Sequence, residues 1–156
     1  MLLDHIFMTL IIVLPLMPFQ FDVDQSSSNN SILSIVMIGG MAIYLCKDCL
    51  GGRSLAKRIL KQQIVTVKTN TPASPLSCLV RNFFIILWPI EVIAVIVNPQ
   101  RRLGDKIAGT EVELYNPRTP TVKPNISQIL LSYVIAFIFL YVIYKLVGLA
   151  MGVQFI

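Results

Sequence analysis

Between residues 129 and 149 the chain carries a single charge, Lys145, in a run that is otherwise almost wholly apolar and has no proline. A helix needs about 20 such residues to cross a hydrocarbon core about 30 Å thick. Lipid leaves no partner for an open backbone, so a run of this kind is constrained to be one continuous helix. Ser127, after Pro124, is the expected N-cap, and Lys145 can reach an interface from the far end. Residues 5–21 and 31–46 qualify as further spans, the second by borrowing flanking residues. A chain of 156 residues with 55% hydrophobic and only 13% charged side chains is too apolar for a soluble domain of this size. The expected class is therefore an integral membrane protein of one small domain. The opening segment lacks a basic n-region and a small-x-small cleavage site, so it is expected to stay in the mature protein.

A fourth apolar run, "FFIILWPIEVIAVIV" over residues 83–97, has Pro89 and Glu91 in its middle. These would interrupt helical bonding and set a carboxylate at mid-membrane depth. Loop charges decide how to place it. Residues 22–30 hold Asp22 and Asp24 and no base, whereas residues 46–81 hold seven bases against one acid, Asp48. Residues 98–126 hold five bases against three acids. The positive-inside rule puts both basic segments on the cytoplasmic side, so the run between them must enter and leave by one face. The expectation is a re-entrant or interfacial helical hairpin over about 79–98, bent at Trp88-Pro89.

Alternation of β-branched and polar residues marks two strands, 63–69 and 109–115, each followed by turn residues. They can pair only if both lie on one side of the bilayer. The expected fold is an all-α membrane protein with three transmembrane helices, the hairpin and a small cytoplasmic antiparallel β pair. It divides into a membrane domain over 1–126 and an added C-terminal transmembrane helix over 127–156.

Three stretches, "KDCLGGRSLAKRILKQQIVTV", "LVRNFF" and "RRLGDKIAGTEV", resemble in order and spacing the signature of the RDD family of small membrane proteins. That family has a Gly-x-Ser-x-Gly-Lys-Arg segment before a strand and an Arg-Asn before the next apolar run. An Arg-rich, Asp-containing, Ala-Gly-Thr stretch precedes its second strand. The resemblance covers residues 4 to about 114. It implies that Asp4 is the aspartate of the first helix and that Asp105 is the aspartate of the Arg-rich motif. The name-giving arginine would fall before Met1, and Ala56 stands where the family has glycine. With the sides set by the loop charges, the expected location is the bacterial cytoplasmic (inner) membrane with the amino end in the cytoplasm. The family's molecular role is unsettled, with transport of a small ligand or cation/proton exchange as the activities proposed for it.

The charged residues each carry two readings. Asp4 is either a relay carboxylate or an interfacial acid paired with Arg81 or Arg101. Glu91, if turned into a bundle interior, would have a raised pKa suited to proton exchange; otherwise it tops a shallow hairpin and reaches headgroups. Asp105, after Arg101, Arg102 and a glycine, is expected to accept backbone N–H bonds and anchor Arg81 or Arg53, with Thr110 at the same loop-to-strand junction. "GGRSLAKRILK" sets Arg53, Lys57, Arg58 and Lys61 around a short helix capped by Ser54, with Leu55, Ile59 and Leu60 on its apolar side. Beside a spanning segment, a basic amphipathic helix is expected to rest on anionic lipid. Its glycine and lysine spacing excludes a phosphate loop.

Cys46 and Cys49 form C-x-x-C, and with Cys78 and His5 they make a conceivable zinc set. A helix C-terminus, however, disfavours the thiolates that metal or redox chemistry needs. His5 is the sole histidine, which leaves no Ser-His-Asp or Cys-His constellation, so an enzyme is not expected, nor a cofactor. The net charge of +5 sits in loops flanking apolar runs, which favours anionic headgroups over nucleic acid as the partner. Gly148 and Gly152 make a G-x-x-x-G that hints at homo-oligomers. Two functions remain from different classes. One is a small transporter or exchanger using Asp4 and Glu91. The other is a non-transporting scaffold or accessory protein that binds lipid or a partner through its basic face.

Overall fold

The computed structural model of the chain describes residues 6–7, 9–14, 27–87, 102–117 and 125–150. By compactness it divides into two units, Leu45–Ser132 and the combination of Met1–Tyr44 with Tyr133–Ile156. The elements in order are a π-helical turn Thr9–Val13, α1 (Ser27–Leu45), α2 (Leu55–Ile59), β1 (Gln62–Thr66), α3 (Pro75–Phe83) with a 3-10 turn Phe84–Leu87, α4 (Leu103–Ala108), β2 (Thr110–Leu114) and α5 (Ile126–Ala150).

Among the described residues of the unit built from the two ends of the chain, α5 is the helix long and apolar enough to cross a membrane. At 1.5 Å per residue it extends about 37 Å. Its large side chains, among them Val134, Ile138, Val142, Leu146 and Leu149, are exposed rather than packed into a core. The apolar part of α1, Ile32–Leu45, is shorter than a full crossing. Tyr144 and Ser34 join the two helices by a hydroxyl–hydroxyl hydrogen bond of 3.0 Å. Of the expected first span, 5–21, only residues 6–7 and 9–14 are described. α5 begins one residue earlier than its expected cap: Asn125 Oδ1 accepts the N–H of Ser127 at 3.1 Å, so the asparagine does the capping and Ser127 is already helical. Gly148 is buried, and Gly152 lies outside the described residues.

The Leu45–Ser132 unit is organised by β1. It pairs antiparallel with β2 in the register Gln62–Leu114, Ile64–Val112 and Thr66–Thr110. Bonds from Val67 N–H to Gly109 O and from Tyr115 N–H to Lys61 O continue the ladder past both strand ends. The expected strands 63–69 and 109–115 thus meet, trimmed where Val67–Thr69 turns instead of extending. The other edge of β1 is covered too: Ile64 N–H donates to Gly52 O at 2.9 Å, and Ala73 N–H donates to Ile64 O at 3.0 Å. This approach demands glycine at position 52. Its φ is +70°, and a Cβ there would stand 2.5 Å from Ile64 O. Cys49, Ile64, Ala73 and Cys78 form the core beneath, with Cys46, Val112 and Ile129 packed against them.

α3 starts at Ser74, whose hydroxyl accepts the N–H of Ser77, followed by Pro75 at the first helical position. It ends in Leu79, Val80, Arg81, Asn82 and Phe83, so the first residues of the expected hairpin (79–98) belong to a helix of the Leu45–Ser132 unit, hereafter the polar unit. Residues 88–98 of that hairpin lie outside the described residues.

Candidate functional site

The ends of α3 and α4 and the turn after α1 bring four buried charges into one cluster. Arg81 occupies the last turn of α3, and its Nε lies 2.9 Å from Asp105 Oδ1, with both side chains 2% exposed. Asp105 sits in the first turn of α4, where its second oxygen accepts the backbone N–H of Arg102 at 3.3 Å. Thr110, at the start of β2, donates its hydroxyl to Asp105 Oδ1 at 3.1 Å. The chain can double back here because Gly109 takes a left-handed φ of +64° between α4 and β2. One carboxylate thereby ties together α3, the start of α4 and the start of β2.

The second pair was not legible as a site. Asp48, in the turn after α1, holds Lys57 of α2 at 2.8 Å through Oδ1. Its Oδ2 accepts from Asn82 Nδ2 at 3.2 Å, and the same amide nitrogen donates to Leu45 O at 2.9 Å. Burial pushes the Asp48 carboxyl up, but the charges of Lys57 and Arg81 and the Lys57 hydrogen bond outweigh it and hold the group below its usual range. Asp48 therefore stays ionised. Its signal in the sequence was its isolation, as the one acid among seven bases over residues 46–81.

This pairing corrects the expected role of Lys57. The sequence pattern sets it with Arg53, Arg58 and Lys61 on a lipid-facing basic side, yet it is 3% exposed and turned inward. A buried carboxylate at Asp48 requires a cation, and Lys57 supplies the direct ion pair at 2.8 Å. Its backbone N–H is taken by Ser54 Oγ, which caps α2 as expected. Arg53 is partly withdrawn as well, its guanidinium lying 3.9 Å above the Tyr115 ring. Arg58 and Lys61 remain exposed.

α2 is inverted relative to an ordinary surface helix. It buries Ala56 and Lys57 and exposes its large apolar residues, Leu55 at 57%, Ile59 at 65% and Leu60 at 43%. Leu55 and Ile59, four apart, lie on one side of the helix. Leu50, in the preceding turn, is exposed as well. The result is an outward apolar patch bordered by the cations of Arg58 and Lys61.

Asp4, His5, Glu91 and Arg101 lie outside the described residues. Cys46, Cys49 and Cys78 do come together in the core of the polar unit. Among the described residues no group of three or more His, Cys, Asp or Glu side chains is placed to hold a metal ion. No protein-family profile, no curated protein and no solved structure matches the chain.

Proposed function

We propose that this chain is an RDD-like integral membrane protein whose polar unit rests on an anionic bilayer surface through α2, and that it acts as a non-transporting scaffold or accessory protein. The observation that carries the reading is the outward apolar face of α2. Leaving Leu55, Ile59 and Leu60 about half exposed to water forfeits about half of the 1.5–3 kcal/mol that full burial of such a side chain is worth. Headgroup-depth insertion recovers that energy, and Arg58 and Lys61 sit where anionic lipid would meet them. α5 supports the same assignment, since its exposed leucines, isoleucines and valines fit a hydrocarbon surround. In this reading α1 and the segment before it also enter the bilayer, and residues 83–97 form the hairpin. The polar unit and the amino end lie on the cytoplasmic side of a bacterial inner membrane.

The test uses Ile59→Trp in a Trp88→Phe background, with the full chain in nanodiscs carrying lipids brominated near the headgroup end of the acyl chains. Strong quenching is expected, greater with phosphatidylglycerol than with phosphatidylcholine. Arg58→Glu with Lys61→Glu should remove that preference. An unquenched tryptophan in both lipids would sink the reading.

Cation/proton exchange is the competing reading, and it rests on Asp4 and Glu91. Asp48 and Asp105 are poor exchange groups, because each already holds a buried cation. Proton flux in proteoliposomes that Glu91→Gln abolishes would favour exchange over the scaffold.

A further inference from the structure

The turn after α1 holds chemistry that neither the ion pairs nor the apolar patch uses. Cys46, Cys49 and Cys78 are free thiols, and all three meet in the core beneath β1. Cys49 N–H donates to Cys46 O at 2.9 Å, closing a four-residue turn. Such a turn holds its end α carbons within about 7 Å, which overlaps the span of a disulfide. Forming a bridge here therefore asks mainly for side-chain rotation. Access separates the thiols: Cys46 is partly exposed, whereas Cys49 is 1% and Cys78 0% exposed. The Cys49 thiol lies between two acceptors, the Pro75 carbonyl oxygen at 3.3 Å and the Cys46 sulfur.

We propose that Cys46 and Cys49 form a reversible dithiol–disulfide site for small disulfides, with Cys46 as the attacking thiol and Cys49 as the resolving one. The Cys46 thiolate attacks one sulfur of the incoming disulfide, breaks its S–S bond and expels one thiolate, which takes up a proton. Cys49 then attacks Cys46 Sγ, and its proton passes to the departing sulfur. That step closes the Cys46–Cys49 bond and expels the second half of the small disulfide as a thiol. Two electrons and two protons pass from the protein pair to the small disulfide, which leaves as two thiols.

The surroundings set this order. α1 ends at Leu45, and the negative end of its dipole opposes a thiolate on Cys46, which the neighbouring Cys49 S–H donor offsets. Burial pushes the Cys78 thiol up to about 12, so it stays protonated and out of the first attack. The hydrogen bond to Cys46, and after it burial, push the Cys49 thiol up as well. Capping Cys46 with the incoming group removes the first of these causes, so Cys49 becomes competent once its partner has reacted. Its attack is then intramolecular, across two intervening residues.

The experiment treats the full chain in nanodiscs with glutathione disulfide, blocks remaining thiols by alkylation and maps the products by mass spectrometry. The wild type should yield a Cys46–Cys49 bridge with Cys78 left alkylatable after unfolding. Cys49→Ala should stop with glutathione on Cys46, about tenfold more of it than in the wild type. Cys46→Ala should give neither product. Glutathione persisting on wild-type Cys46, a bridge that includes Cys78, or thiols that react only after unfolding would each overturn the proposal. The wild-type map decides the matter alone if a variant misfolds.

Discussion

Removing the Lys57 ammonium would leave Asp48 buried with the Asn82 amide and the charges of Arg81 and Lys47 in support. Stripping one partner from a buried ion pair costs about 3–5 kcal/mol. The remaining neighbours place Lys57→Ala at the lower end, about 3 kcal/mol, read as a large fall in the thermal midpoint in mild detergent. Charge reversal at Arg58, which is exposed, should stay within about 0.5 kcal/mol of the parent by the same measurement. Acid should act through Asp48. An unfolded aspartate titrates near pH 3.9, and the folded value lies below that. Its contribution is therefore fully present above about pH 3.9 and is lost as pH falls through the lower folded value. Midpoints that shift with Asp48 ionisation only in this acid range, and not in Asp48→Asn, would match. At this scale the sequence was legible where a residue's partners lie in its own motif. Asp105 with Thr110 and Arg102 is such a case. It was opaque for Lys57, because an amphipathic reading of residues 51–61 takes every cation as outward until the buried acid nine residues upstream is placed against it.

β1 and β2 were legible as elements because alternation and flanking turns mark strands locally, and both lie where the pattern put them. Their ends were not, since Lys61 and Asn70 adopt left-handed backbone that no periodicity announces. The second cover on β1, in which Gly52 and Ala73 both bond to Ile64, is a tertiary contact. Gly52→Ala tests it. The substitution would strain a φ of +70° and press a Cβ on Ile64 O, so a loss of more than about 1 kcal/mol is expected. The same change at Gly51, whose Cβ would meet open space, should cost less, since only the positive φ is strained. For α2, Leu55→Ser with Ile59→Ser should leave the unfolding midpoint nearly unchanged, because neither side chain is packed.

Pairing of β1 with β2 bears on the topology of the whole chain. Membrane crossings made between Thr66 and Thr110 must be even in number, zero included, or the two strands could not meet on one side of the bilayer. Single cysteines at Asn70 and Glu113 in a cysteine-free version should label with an impermeant maleimide from the same side. Labelling from opposite sides would mean that the sheet does not form in the bilayer. Charge tallies of loops had led to the same parity, though they say nothing of what secures it. That role falls to Arg81 and Asp105, 2.9 Å apart at the two ends of the intervening chain. The ion pair and the sheet fix the two ends of that chain against each other. Closure entropy rises slowly with ring size, by about 0.6 kcal/mol for each doubling of length. The closure cost that the Leu45–Ser132 unit meets therefore changes little when the segment between Leu87 and Arg102 is lengthened or shortened.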